Sequence, residues 1–296
     1  MTLESRSKPV SETASLPPET SARIVSTPAK LIGEPDQRGL VHGKSKVPIR
    51  IGTGVLSVIG ADERRRIRQT ELNPYRMICA LQIDAPWGEF VGTGWLAGPQ
   101  TLITAGHCLF DRQQMGGWAH SIEITPGRDG DEPPAFGCHT ATRFSSVDKW
   151  LDSRDPDFDI GAIHLDAPLG DELGWFGIRA LPDAEIEDRL VNVSGYPASP
   201  GRGTQQMWAM NRIRAVTPRR IFYDVDTSGG QSGGPVYYID APGSAPEVIG
   251  IHAYGIGGTP GDIQLEVNSA PRIIPEVVEQ IQAWVQADTV GVTASP

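Results

Sequence analysis

From Tyr75 to about Leu169 the chain repeats one pattern: short apolar runs separated by polar turns rich in Gly and Pro. The runs at 77–83, 90–96, 122–125 and 160–165 are strand length, and the turn residues between them predict a sandwich or barrel. A second set follows at 190–193, 205–210, 221–225, 236–239, 248–252 and 263–267. Between the sets, 169–182 carries Pro168, Gly170, Gly174 and Gly177 at or near its turns and reads as a linker. The pattern changes only at the end. Ile274, Val277, Val278, Ile281, Trp284 and Val285 recur at three- and four-residue steps, which predicts a helix over about 275–287 with Pro275 in its first turn. Its apolar stripe is expected to pack on the second strand set.

Residues 1–56 have neither period. They are rich in Ser, Thr, Pro, Glu and Lys and poor in aromatics, so no core of their own is expected there. The start, 1–18, has no apolar stretch of the kind a secretory signal or a membrane span needs. The predicted division is therefore 1–56 as a disordered or removed leader, 57–180 and 181–272 as two β domains, and 273–288 as the terminal helix.

Composition adds a few limits. The 296 residues are ample for a core, and 34 Gly with 25 Pro favour a turn-rich all-β chain over a helical one. A formal net charge of −10 argues against nucleic acid and anionic membranes as partners. Three cysteines cannot all pair within one chain. Either Cys108 joins Cys138 and leaves Cys79, or all three are free thiols. No metal-ligand spacing stands out, and no cofactor is expected.

The candidate chemistry lies in three segments. In 226–235 Ser232 sits among glycines between two apolar runs, where consecutive N–H groups can turn toward one point. A hydroxyl there could attack a carbonyl, with the amides of Gly230 and Ser232 stabilising the oxyanion. Such a hydroxyl needs a base, and Thr104-Ala105-Gly106-His107-Cys108 supplies an imidazole directly after a strand-like run. The imidazole in turn needs a carboxylate to fix its tautomer. Asp159 stands just before the apolar run at 160–165, and Asp157 is its weaker rival.

The segments TAGHC, DFDIGAI and GGQSGGP, in the order His107, Asp159, Ser232, resemble the three catalytic segments of chymotrypsin-fold serine proteases. SVIGAD at 57–62, PYR at 74–76, GTGWLAGP at 92–99, TPGRDG at 125–130 and SGYP at 194–197 narrow this to the bacterial glutamyl endopeptidases, V8-like enzymes. The resemblance implies two Greek-key β-barrels with a C-terminal helix, a serine endopeptidase acting on proteins or peptides, a propeptide, and a monomer. It also implies secretion, although 1–18 shows no secretory signal. In this fold Cys108 often bridges to a cysteine at the place held here by Gly92, so that bridge is not expected.

Two specificities compete. Asp226, six before Ser232, holds the place where trypsin-like enzymes keep an aspartate for Arg or Lys. Thr227 and His252 match the glutamyl residues that bind a P1 carboxylate. The resemblance also implies that a new α-amine at Ser57 or Val58 adds positive charge there. Gln231 precedes the nucleophile, so the trypsin-type pairing of a new N-terminus with an aspartate at that place is excluded. Cleavage after Glu, then Asp, is the preferred expectation. It requires Asp226 to face away from the substrate. His42, His120, His139 and His164 are expected to be structural or solvated.

Overall fold

The computed structural model describes residues 3–9, 58–256 and 265–293. His42, Ser57 and the start of the predicted 263–267 run lie outside these residues.

Two curled sheets carry the fold. The first runs in the order Ser5–Ser7, Arg143–Val147, Gly161–His164, Thr101–Thr104, Gly88–Leu96, Ile78–Ala85, Ser121–Pro126 and His139–Ala141. Its central hairpin joins Ile78–Ala85 to Gly88–Leu96 in unbroken antiparallel register from Ile78↔Trp95 to Ala85↔Gly88. Residues 78–81 are buried on both faces, whereas Gln82 and Asp84 alternate outward where the sheet leaves the core. The second sheet runs Gly177–Ile178, Glu247–Ile251, Pro235–Tyr238, Leu190–Gly195, Met207–Val216, Arg220–Tyr223 and Asn268–Pro271, with Arg65–Arg66 on the side of Met207–Val216. Its own core gathers Val191, Val193, Ile213, Ile221, Tyr223, Val236 and Ile249.

Three expectations need correction. First, the helix Pro275–Thr293 packs on the first sheet, not the second. Val277, Ile281 and Trp284 join the core of Leu102, Ile103 and Ile163, each burial being worth roughly 1.5–3 kcal/mol. Two features of the first sheet select it. A Cβ at Gly98 would stand 2.7 Å from Val285, so only glycine admits the helix there. Asp288 is buried against Thr101 and His164. Second, 169–182 is more than a linker: it forms the helical turn Leu169–Leu173, and Gly177–Ile178 pairs in parallel with Glu247–Ile251. Third, residues 3–9 are not disordered; Ser5–Ser7 is an edge strand of the first sheet. Of the two cysteine alternatives, the structure has the free thiols: no bridge forms. Cys79 and Cys108 are buried and Cys138 is exposed, all as free thiols. The usual bridge geometry survives nonetheless: a Cβ at Gly92 would lie 3.8 Å from that of Cys108, the spacing of a disulfide.

Candidate active site

His107 lies in the 3₁₀ turn Gly106–Cys108, which begins where the fully buried strand Thr101–Thr104 ends. Asp159 terminates another such turn, Pro156–Phe158, opened by the Asp155 carboxylate accepting from the Asp157 amide. The strands that flank these turns, Thr101–Thr104 and Gly161–His164, pair with each other, so the two turns emerge side by side. Asp159 is wholly buried. One carboxylate oxygen accepts the His107 backbone N–H at 2.8 Å, and the other faces Nδ1 of the ring at 2.7 Å. That two-point grip fixes the ring and leaves Nε2 on the far side.

Burial is the largest influence on the His107 imidazole and disfavours its charge. The Asp159 carboxylate and the neighbouring Cys108 sulfur together outweigh it, so the His107 pKa lies well above the ordinary value near 6.5. Asp157 does not reach the ring. Burial, then neighbouring Asp155, raises its carboxyl.

The turn bearing Ser232 is clamped from the first sheet. Thr93 does most of this: its N–H donates to the Ser232 carbonyl at 2.9 Å and its hydroxyl to the Gly230 carbonyl at 2.9 Å. The Cys108 thiol donates to the same Ser232 carbonyl at 3.6 Å, which seats the turn beside His107. Gln231 braces the turn from within, its side-chain oxygen accepting from the Ser228 amide at 3.0 Å. Gly230 and Gly233 have φ near +100° and +88°, and a Cβ at Gly233 would collide with Thr104 Oγ1 and the Thr93 carbonyl at 2.1 Å. Only glycine can occupy that corner. Within the described residues, neither the Gly230 nor the Ser232 amide donates to a backbone carbonyl. Ser232 itself is half-buried.

The residues behind the turn sort differently. Asp226 is buried, and its two oxygens accept the backbone N–H groups of Ile59 and Glu63, each at 2.7 Å. Its lone pairs thus tie down the segment that begins at Val58. Thr227 is fully buried, and its hydroxyl has no partner among the described residues. His252 is buried too, with Nδ1 at 2.6 Å from the Tyr223 hydroxyl. Burial, with the His107 charge secondary, pushes its pKa down to about 3, so it is neutral at ordinary pH rather than a cation.

Several residues here escaped the sequence reading: Thr93, Tyr223, Arg220 and Tyr254. Burial and then the Asp159 charge push the Tyr254 phenol far up. The buried Arg220 guanidinium stacks on the Tyr254 ring at 5.0 Å. Tyr254 lies within the motif around His252, which was its only sequence signal. Thr93 likewise lies within the motif at 92–99, whereas Tyr223 and Arg220 matter through contacts between distant segments and left no such signal.

A model of the trypsin-like peptidase domain matches residues 92–251. A Bacillus licheniformis glutamyl endopeptidase is 33% identical over 246 residues, covering 81% of this chain and 73% of that protein. A Bacillus subtilis protein named extracellular metalloprotease is 35% identical over 271 residues, covering 90% of this chain and 81% of its own. Among the described residues no group of three or more His, Cys, Asp or Glu side chains is arranged to hold a metal ion. A solved structure of a Glu endopeptidase in complex with MPD superposes with a TM-score of 0.65 at 23% identity, over 77% of this chain and 99% of that one. The match to the domain model, the kinship with the glutamyl enzyme and the shared two-sheet fold agree: this chain belongs to the trypsin-like peptidases, as a chymotrypsin-fold serine endopeptidase of the V8-like group.

Proposed function

We propose that Ser232 is the nucleophile, His107 its general base, Asp159 the carboxylate that orients His107, and the amides of Gly230 and Ser232 the oxyanion hole. The observation that carries this reading is the grip of buried Asp159 on both the ring and the backbone of His107. In the acylation step the Ser232 Oγ–C bond forms as its proton passes to Nε2. The amide nitrogen then leaves with that proton, and water repeats the sequence to release the acid. Asp159 stays ionised and stabilises the imidazolium.

We further propose cleavage after Glu, and less well after Asp. Both Asp226 oxygens accept from the Ile59 and Glu63 amides, which supports a role in holding that segment rather than in pairing with a P1 Arg or Lys. The unpartnered Thr227 hydroxyl is a donor awaiting an acceptor such as a P1 carboxylate. Neutral His252 serves through a hydrogen bond: with the Tyr223 phenol donating to Nδ1, the ring proton resides on Nε2. Positive charge is then left to the α-amine freed by cleavage before Ser57 or Val58. Asp226 holds that end of the chain near the pocket.

Matched peptides with Glu, Asp, Arg or Lys at P1 test both halves, using the full chain, a form beginning near Ser57, and Ser232→Ala. Loss of roughly 10⁶-fold in kcat is expected on Ser232→Ala. Cleavage after Arg or Lys would return the specificity to Asp226. An intact fold that cuts nothing would make the chain a binding module.

A further inference from the structure

The N-terminal strand is attached to the body through its backbone and through its side chains. Ser5–Ser7 pairs antiparallel with Arg143–Val147, from Ser5↔Val147 to Ser7↔Ser145. Beyond the strand, the Lys8 amide donates to the Phe144 carbonyl and the Asp148 amide to the Glu4 carbonyl, both at 2.9 Å. Arg6 forks onto two carboxylates, Asp148 at 2.7 Å and Asp152 at 2.6 Å. The Lys8 ammonium donates to the His120 carbonyl at 2.9 Å and lies over the Phe144 ring at 5.3 Å.

A buried chain of hydrogen bonds then continues inward. The Ser7 hydroxyl meets Ser145 Oγ at 2.9 Å, Ser145 meets His164 Nε2 at 2.8 Å, and His164 Nδ1 meets Asp288 of the terminal helix at 2.9 Å. Gln280 of the same helix reaches Ser5 Oγ at 3.2 Å. Leu3 packs on the main core. None of these contacts involves residues near 57, where the chain would be cut.

We propose that the segment Leu3–Pro9 is a docked peptide that stays on the enzyme as a separate chain after the connection to Val58 is cut. On this reading, which rests on the processing proposed above, the processed protein is a two-chain complex. The groove formed by the Arg143–Val147 edge, Asp148, Asp152 and Gln280 is then a site for an extended basic peptide, bound by strand addition. The ladder supplies affinity, and the paired carboxylates around Arg6 select the charge. Departure of the strand would bare the Arg143–Val147 edge, an unpaired row of N–H and C=O groups that favours refilling or aggregation.

The test uses the full chain carrying Ser232→Ala, so that it cannot cut itself, with a foreign protease site placed within residues 20–40. After cutting, the N-terminal fragment is expected to co-elute with the body on gel filtration in 50 mM salt. The Lys8 and Asp148 amides should keep their slow hydrogen exchange. Arg6→Glu, which sets a third carboxylate against Asp148 and Asp152, should weaken retention by about tenfold or more. A fragment that separates from a still-folded body overturns the proposal. So does equal retention of the Arg6→Glu fragment, because the recognition would then not be of basic charge. Whether wild-type enzyme is cut near Ser57 is read separately, by sequencing its N-termini. Failure of the processing step and failure of the docking are thus distinguishable.

Discussion

Two Asp–His pairs lie at opposite ends of the strand Gly161–His164 in the first sheet. Asp159–His107 (2.7 Å) and Asp288–His164 (2.9 Å) look alike as pairs: each joins Nδ1 to a carboxylate almost sealed from water. Their second nitrogens separate them. His164 gives Nε2 to Ser145, whose hydroxyl is in turn engaged by Ser7, so every valence is used inside the protein. The His107 side chain keeps 23% exposure, against 10% for His164. An Asp–His–Ser sequence of contacts is therefore not in itself a catalytic device. A closed one ties the C-terminal helix to an edge strand, and an open one can pass a proton to something that arrives from outside.

The comparison can be broken from either side. The largest expected effect is Asp159→Asn, which should lower kcat by about 10⁴-fold while leaving the fold intact, read with a P1-Glu peptide and a thermal melt. Comparable loss from Asp288→Ala would mean that the closed pair also serves catalysis. Instead Asp288→Ala is expected to cost about 3 kcal/mol or more, by stranding the buried His164 and the Thr101 hydroxyl, and to leave kcat of the folded enzyme unchanged. Its melting temperature should fall by roughly 6–12 °C. Thr227→Val should cut kcat/KM for a P1-Glu peptide by about 10- to 100-fold with no loss of stability, since the hydroxyl satisfies nothing in the free protein.

A pH profile sharpens the contrast further. The folded pKa of His107 is raised, and the base form is the active one, so kcat/KM should climb with pH along a limb centred above 6.5. Stability runs the other way. The charged pair contributes fully below the unfolded value near 6.5 and is lost as pH rises through the folded pKa. A limb centred below 6.5 would mean that burial prevails over Asp159 and Cys108. The smallest expected effect is Ser145→Ala, about 1 kcal/mol of stability and no change in rate, because it removes one neutral link of the closed chain.

Much of this was legible in the residues, because it is local. Strand-length apolar runs, the glycines around Ser232 and the spacing of His107, Asp159 and Ser232 follow from what the backbone and side chains can do within a few positions. Local pattern also placed the terminal helix, since a 3.6-residue stripe depends on nothing beyond itself. Where that stripe went was another matter. An apolar face fits any apolar surface, and the choice of the first sheet rested on a missing side chain at Gly98 and one buried carboxylate, Asp288. Both lie far from the helix's start in sequence or in space.

The same limit applies at the pocket. Sequence placed Asp226, Thr227 and His252 together but could not orient them. Asp226 faces the Ile59 and Glu63 amides, which come from a segment 167 and 163 residues earlier. His252 is neutral because the fold buries it against Tyr223. Composition called the first 56 residues coreless, yet a strand at 5–7 needs no core of its own when an existing edge offers hydrogen bonds and two carboxylates. Sequence by itself named the candidate reactive groups and most of the strand segments, through local sterics and periodicity, but its runs missed Arg143–Val147 and put a strand at 263–267 where the ladder instead uses Asn268–Pro271. Tertiary structure alone decided which Asp–His pair stays open, because that depends on what the rest of the chain places against the second nitrogen.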